Sequence, residues 1–116
     1  MSAAAVTLTL LAGALGAVVR AAVVAALPRT GTGLVNVVGT LALAACWALT
    51  GAGRLAPGVA AVVGLGFAGA LTTFSGWVAR VDDGLAEAPV RTLAGEVLLP
   101  LAVGVAVTVA AFVALG

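Results

Sequence analysis

Four apolar runs, each long enough to cross a lipid bilayer, dominate this chain and limit what it can fold into. They cover residues 3–27, 32–49, 55–79 and 95–115. A helix needs roughly 20 apolar residues to cross about 30 Å of hydrocarbon, and each run approaches or exceeds that length. The connections are short except for residues 80–92, whose charged side chains predict a solvated loop. The runs predict an all-α integral membrane protein, with residues 1–116 forming a single domain of four transmembrane helices.

Composition supports a membrane protein and excludes several other classes. Apolar residues make up 64% of the chain, charged residues 8%, and the mean hydropathy is +1.33, whereas soluble domains are about half apolar and about a quarter charged. Without histidine, and with Cys46 alone, the chain offers neither a zinc site nor an intrachain disulfide. Five scattered arginines form no basic patch, so nucleic-acid binding is excluded.

The first run lacks a positively charged leader and is longer than the apolar core of a signal peptide, which predicts that it is retained as a membrane span.

The third run contains a segment that is unusual for a membrane helix, Gly64 to Trp77 (GLGFAGALTTFSGW). It places glycines, hydroxyl side chains and aromatic rings where hydrocarbon normally allows only an uninterrupted helix. Backbone polar groups at membrane depth must be paired, so irregular backbone occurs there only where it is buried in protein or lines a cavity. Broken helices in transporters commonly hold an ion or a substrate. We therefore predict that the third helix is broken mid-span and that the break forms an ion site.

Polar side chains inside the first and second runs provide further candidates, each with two interpretations. Thr32, Asn36 and Thr40 share one face of the second helix, where they could solvate a partly dehydrated anion or hydrogen-bond to a neighbouring helix. Arg20 is the only arginine well inside an apolar run, where a charge is costly. It could anchor the helix and pair with freed carbonyl groups, or supply a positive field to an anion vestibule. We favour the first role, with the field as a by-product.

Phe74 and Trp77 lie three residues apart and therefore face one side of the third helix. The positive edges of aromatic rings can attract an anion that the ring faces would repel. Two aromatics at this spacing are, however, also typical of packing or of an interfacial aromatic belt, and Trp77 near the end of its run fits the belt. Both interpretations stay open at this stage.

Small residues predict how the helices pack. They recur every four residues in the first and third runs, at Gly13, Ala17 and Ala21 and at Ala60, Gly64 and Ala68. Lipid gives helices no hydrophobic reason to associate, so close backbone contact across small side chains supplies the packing energy. Abundant alanine could also produce such rows by chance. Four thin helices are too few to enclose a sheltered polar pathway alone, so we expect a dimer or a larger assembly.

Two segments resemble sequence elements of the Fluc, or CrcB-type, fluoride channels. GTGLVNVVG (Gly31 to Gly39) resembles the GTxxVNxxG element of that family's second helix. GALTTFSGW (Gly69 to Trp77) resembles its GGxTTFSTF element, which lies at the break in the third helix. Arg20 is similar to the arginine of the family's first helix. The resemblance covers the whole four-span layout.

The resemblance implies an antiparallel dimer in the bacterial plasma membrane that passes fluoride passively and lowers its cytoplasmic concentration, and a channel rather than an enzyme. It implies that Asn36 and Phe74 line the fluoride pathway, with further hydroxyl groups nearby. Together with the polar stripe, the expected pathway residues are Asn36, Thr40, Thr73, Phe74, Ser75 and Trp77. The resemblance also implies that backbone carbonyls of Gly69 and Thr72 hold a structural sodium ion at the dimer centre.

The chain departs from the family pattern along the expected pathway. Trp77 takes the place of the second phenylalanine of the fluoride-contacting pair, and Ala70 that of the second glycine. A gap-free register places Arg80 where the family has a glutamate. The same register places Glu96 and Pro100 where the polar track of the fourth helix has a tyrosine and a serine. The core of the third helix therefore matches, while half of the expected pore lining does not.

Arginine placement predicts a fixed orientation and hence a second kind of subunit. The loops after the first and third helices share one side of the membrane, which carries Arg29, Arg80 and Arg91, and the opposite side carries Arg54. The positive-inside rule places the three-arginine side in the cytoplasm. A subunit that inserts both ways should show almost no bias. We therefore hypothesise a heterodimer with a second four-helix subunit of opposite orientation.

Two other functions stay open. A small proton-coupled exporter also uses four short helices in an antiparallel dimer, but it requires a carboxylate deep in the first helix. Residues 3–27 contain none, and Glu96, the only acid near a span, lies at an entrance. The other alternative is a non-conducting partner subunit of a channel, given the altered fourth helix. Fluoride efflux from liposomes distinguishes a channel from both.

Overall fold

The chain folds into four long helices joined by short turns. The structure, a computed structural model, describes residues 2–115 and contains no strand among them. The helices long and apolar enough to cross a membrane are Ala3–Ala26, Gly31–Gly51, Pro57–Glu87 and Pro89–Leu115, called here the first to fourth spans. The prediction of an all-α, four-span protein is confirmed at this level.

Local sequence signals explain where the spans begin and end. The Ser2 hydroxyl accepts a hydrogen bond from the Ala5 amide and caps the first span. Gly53, with φ of 71°, closes the turn after the second span in a left-handed conformation that glycine adopts without strain. Pro57 and Pro89 each occupy the first helical position, where a missing N–H costs nothing.

The prediction of a solvated loop over residues 80–92 is wrong. The third span continues as a helix to Glu87, and a single non-helical residue, Ala88, separates it from the fourth span, which starts at Pro89 rather than near residue 95. Asp82, Asp83 and Glu87 are exposed, so the expected solvation holds while the backbone is helical. The charged residues lie on the exposed face of an amphipathic helix end. Composition alone does not distinguish such a helix end from a loop.

The third span is interrupted in the middle, as predicted. Helical backbone stops at Leu71, and Thr72 (φ −77°, ψ 152°) and Thr73 (φ −144°, ψ 121°) are both extended before the helix resumes at Phe74. We call residues 57–71 and 74–87 its first and second halves. Hydrogen bonding over Ala61–Ala68 is of the wider π-helical type, which commonly accompanies functional irregularities in helices. The interruption frees backbone groups that must find other partners.

The first span packs against the first half of the third span through glycines. Gly16 lies against the Phe67 carbonyl so closely that a Cβ atom would overlap it, and a Cβ at Gly66 would lie 2.6 Å from the Thr9 carbonyl oxygen. Gly13 belongs to the same contact, although the tightest point is Gly16 and not the row of small residues that contains Gly13. Backbone-to-backbone contact of this kind is typical of membrane helices.

Replacing Gly16 with alanine should destabilise the fold. The added methyl must push the first span away from the Phe67 carbonyl, and over-packing of this kind costs about 1–3 kcal/mol. We expect a lower unfolding temperature of the purified protein in detergent, followed by tryptophan fluorescence. Gly58→Ala is the matched control because a Cβ at Gly58 would meet nothing within 4 Å. Equal unfolding temperatures for the two variants would contradict the close contact.

The second span lies between the third and fourth spans and carries much of the buried surface. Its buried residues include Val35, Ala44 and Ala48. The fourth span packs mainly against the second, and only 6% of its most apolar 18-residue window is buried, as in the first span. The remaining apolar surface of these spans faces outward, where lipid or another subunit can cover it. A cleft opens where the second span, the fourth span and the break meet.

Candidate functional site

The side chain of Asn36 pairs with the backbone of the break. Its Nδ2 donates to the Thr73 carbonyl oxygen at 3.1 Å, and its Oδ1 accepts from the Thr73 amide at 2.7 Å. The amide therefore replaces the helical partners that the extended conformation removes from Thr73. Gly39, one turn away, lets the second span approach, because a Cβ there would overlap the Thr72 methyl. The GTGLVNVVG and GALTTFSGW segments thus meet at one point.

Arg20 supplies hydrogen bonds to the carbonyl end of the first half of the third span. Its Nη1 donates to the Ala70 oxygen at 3.1 Å and, in a longer contact, to the Thr72 oxygen at 3.4 Å. A helix end carries a partial negative charge and unpaired carbonyls, so a cation there is stabilising. The structure places Arg20 as a partner of freed carbonyls, the role that the sequence favoured.

Hydroxyl groups complete the polar structure of the break. The Thr73 hydroxyl accepts from the Gly76 amide at 3.1 Å and caps the second half of the span, while the Thr72 hydroxyl donates to the Gly69 oxygen at 3.0 Å. The 14-residue helix Phe74–Glu87 therefore begins at the break. Its amino-terminal end, with a partial positive charge, faces the same region as the Asn36 amide.

A cleft of about 600 Å³ runs along this polar region. Five of the predicted pathway residues line it: Asn36, Thr40, Thr73, Phe74 and Trp77. The opposite wall comes from the fourth span, which contributes Pro100, Gly104 and Thr108. The cleft is bounded by three spans, and its lining contains no charged residue: amide, hydroxyl and aromatic groups lie beside aliphatic side chains of the fourth span.

Three other candidates lie elsewhere. Ser75 is exposed and does not line the cleft. Thr32 is buried in the packing of the second span, while Gly69 is exposed on the third span, with its carbonyl accepting from Thr72. The structure thus brings the second-span stripe and the break together at Asn36 and Thr40 but not at Thr32.

Thr108 is a cleft residue that the sequence reasoning missed. Its hydroxyl donates to the Gly104 oxygen, one turn earlier, at 2.8 Å, which leaves its oxygen lone pairs toward other groups. The available signal was weak, since Thr108 is the only hydroxyl residue in residues 95–115.

The two aromatic residues of the second half differ in their surroundings. The Phe74 and Trp77 ring centroids are 5.6 Å apart with an angle of 43° between the planes, and Phe74 is 76% exposed. The Trp77 indole N–H donates to the Glu96 backbone oxygen at 2.6 Å. Trp77 therefore ties the third span to the fourth as well as lining the cleft, whereas most of the Phe74 ring is uncovered.

The two charged departures from the expected pattern form an ion pair. Arg80 Nη2 lies 2.9 Å from Glu96 Oε1, and Arg80 Nε lies 3.5 Å from Glu96 Oε2. Arg80 Nη1 also donates to the Pro28 oxygen at 2.8 Å. Arg80 is thereby connected to the turn after the first span as well as to the fourth span. This pair lies at one end of the cleft.

The carbonyl groups of the break suit a cation better than any side-chain cluster does. Residues 2–115 contain no group of three or more histidine, cysteine or acidic side chains that could hold a metal ion. The Gly69 and Thr72 carbonyls each accept one hydrogen bond and each retain a second lone pair. Backbone oxygens at the end of a broken helix are typical ligands of sodium. Two carbonyls are less than a full coordination shell, so a cation held here would need further oxygen ligands.

One comparison with known proteins gave a match. The family model described as CrcB-like protein, Camphor Resistance (CrcB), matches residues 7–112. Neither the curated proteins nor the solved structures contain a match to this chain. The matched region includes the second and third spans, most of the first and fourth spans, and every residue of the break.

Proposed function

The chain belongs to the CrcB-like family, which is the Fluc fluoride channel family, and on this premise we propose that it is a subunit of a passive, fluoride-selective channel. The channel would let fluoride leave the cytoplasm down its gradient across the bacterial plasma membrane. The observation that carries the proposal is the two-way pairing of Asn36 with Thr73 beside a cleft that has no charged residue in its lining. This arrangement fixes donors at membrane depth without placing a full positive charge in the path.

The proposed mechanism replaces the water around fluoride with many weak donors. Fluoride holds its water tightly, so a narrow path must offer hydroxyl groups, amide N–H groups and ring edges in close succession. Thr40 and Thr73 supply hydroxyl groups along the cleft, and Phe74 supplies a ring edge. The amino-terminal end of the helix that starts at Phe74 adds a partial positive charge. Weak sites in series let the ion move on, whereas one strong site would hold it.

We propose that the Gly69 and Thr72 carbonyls hold a structural sodium ion shared with a second subunit. The free lone pairs of these carbonyls support the assignment. The Arg20 guanidinium donates to the Ala70 and Thr72 oxygens and thereby positions the carbonyl end from which the ligands would come. A bound sodium would supply positive charge and a rigid joint between two breaks, and it would take no part in moving fluoride.

We propose that the complete channel is an antiparallel dimer and that the partner is a second four-helix chain. The cleft is open on one side and the Phe74 ring is largely uncovered, so a pathway through this region needs a second wall. The biased arginine placement supports a fixed orientation of this subunit and thus a partner of opposite orientation. Trp77, Arg80 and Glu96 alter one end of the pathway, which also supports a non-conducting or single-pore role for this chain within a heterodimer.

Fluoride efflux from proteoliposomes tests the proposed function. Vesicles loaded with potassium fluoride should release fluoride, measured with an ion-selective electrode, once a potassium ionophore balances the charge. Chloride-loaded vesicles should show no comparable release. The chain would be reconstituted alone and together with a companion four-span protein that carries a TTFSTF element. Efflux only from the mixture supports the heterodimer, efflux from the chain alone refutes it, and no efflux from either contradicts the channel function.

A further inference from the structure

Three residues that depart from the family pattern form one connected cluster at the end of the cleft. The Arg80 guanidinium holds the Glu96 carboxylate through two of its nitrogens, and the Trp77 indole holds the Glu96 backbone oxygen. The third Arg80 nitrogen is committed to the Pro28 oxygen. Each of these side chains therefore has a fixed partner, and the three substitutions act as a unit rather than as independent losses.

Glu96 stands between two spaces. On one side it lines a charged vestibule of about 440 Å³, which also includes Arg80, Asp83, Glu87 and Arg91. On the other side it lines an inner space of about 220 Å³ with Asn36, Thr40 and Trp77. Among the described residues, Glu96 is common to the lining of both spaces. The Glu96 side chain is therefore placed to act on an anion at the boundary between the vestibule and the inner space.

The charge balance of the pair decides what such an anion meets. The Arg80 and Glu96 side chains are 27% and 34% exposed, so solvent screens them only in part. An unpaired unit charge about 5 Å from a passing ion changes its local binding constant by roughly 100-fold at an effective dielectric constant near 20, and partial screening by solvent lowers this to about tenfold. Paired at 2.9 Å, the two charges largely cancel. Arg80 alone would attract the anion strongly, and Glu96 alone would repel it strongly.

We propose that Arg80 and Glu96 determine anion affinity and release at this mouth, with Arg80 as the anion-attracting group and Glu96 as its built-in counter-ion. Arg80 keeps the Glu96 carboxylate from repelling the anion, and Glu96 keeps Arg80 from holding it. The pair thus takes over a position at which the family pattern has a glutamate and a tyrosine. This inference rests on the proposed channel function for its effect on transport, but its effect on anion binding does not depend on transport.

A charge-removal cycle in the conducting assembly tests the proposal. Glu96→Gln should lower the fluoride concentration for half-maximal efflux about tenfold and also reduce the maximal rate, because the freed Arg80 holds the ion. Arg80→Gln should raise the half-maximal concentration about tenfold or more. The double variant Arg80→Gln/Glu96→Gln should return to within about threefold of the unchanged protein. Arg54→Gln, which removes an exposed arginine on the opposite side, should have no effect.

Fluoride binding to the detergent-solubilised protein provides a readout that does not require transport. In a Trp47→Phe background, Trp77 is the single remaining tryptophan, and its fluorescence reports the mouth of the cleft. Sodium fluoride titrations, compared with sodium gluconate, should show tighter binding for Glu96→Gln and weaker binding for Arg80→Gln. If these fluoride-specific changes occurred without any efflux, the proposed role of Arg80 and Glu96 in anion binding would stand and the channel function would be rejected. The proposal would be overturned if efflux occurred but the half-maximal fluoride concentration did not shift in opposite directions in Glu96→Gln and Arg80→Gln. It would also be overturned if Glu96→Gln showed no detectable fluoride binding. If Arg80→Gln does not fold, Glu96→Gln alone decides.

Discussion

Exchanging Asn36 for aspartate is expected to reduce fluoride efflux roughly 100-fold, because a negative charge then lies beside the anion pathway. Asn36→Asp keeps an acceptor for the Thr73 amide but loses the donor to the Thr73 oxygen, where two oxygens would face each other. A unit charge about 5 Å from the ion costs about 3 kcal/mol at an effective dielectric constant near 20, which corresponds to roughly this factor. Efflux from proteoliposomes of the conducting assembly measures it.

Two comparisons make the Asn36 result specific. Thr50→Val removes a polar group from the same helix, but the Thr50 hydroxyl bonds only to its own helix at Cys46, so efflux should be unchanged. Asn36→Ala carries no charge but leaves the Thr73 N–H and carbonyl without partners, at about 1–3 kcal/mol each. It should therefore lower both efflux and thermal stability. Wild-type efflux from Asn36→Asp would remove Asn36 from the proposed pathway.

Replacing Arg20 with methionine should loosen the break, although it removes a charge from the membrane. The Ala70 carbonyl would lose a charge-assisted donor, a bond that contributes about 1.5–3 kcal/mol, and the longer Thr72 contact adds little to this. Amide hydrogen exchange at Thr72 and Thr73 should become about 10- to 100-fold faster, since local opening becomes easier by this energy. Hydrogen–deuterium exchange with mass spectrometry of peptides covering residues 66–80 measures the change.

A conservative variant separates the charge of Arg20 from its contacts. Arg20→Lys retains the positive charge, and its ammonium group can donate to the carbonyl end, so exchange should be closer to the unchanged protein than in Arg20→Met. Peptides from residues 42–50 of the second span, which Arg20 does not contact, serve as the internal reference. Unchanged exchange at the break in Arg20→Met would mean that the carbonyl end is held by other groups.

The spans and the break could be predicted from the sequence because both follow from the cost of unpaired backbone groups in hydrocarbon. The same reasoning suggested freed carbonyls as partners of Arg20, whereas it did not predict that the polar stripe of the second span meets the break. Asn36 was visible as a polar residue in an apolar run. Its two-way bond with Thr73 was not, because it depends on a close approach that Gly39 permits across two helices.

Other features could not be predicted from the sequence because they depend on which residues face one another in the fold. In the sequence, Arg80 and Glu96 are two separate departures from the expected pathway residues. Only the 2.9 Å contact between their side chains shows that they form a pair. The helical continuation to Glu87 was hidden by its charged face, since composition resembles that of a loop. Thr108 was hidden because one hydroxyl in a long apolar run is ordinary in membrane helices, where it bonds to its own backbone.

The uneven packing of the spans has a mechanical consequence. The first span and the first half of the third are joined backbone to backbone at Gly16 and Gly66, whereas the fourth span leans mainly on one neighbour. One side of the cleft is therefore held by backbone contact, whereas the fourth-span wall is held by its packing on the second span and by the bonds of Trp77 and Arg80 to Glu96. Substitutions farther along that wall should change the width of the cleft and leave the hydrogen bonds of Asn36 and Arg20 in place.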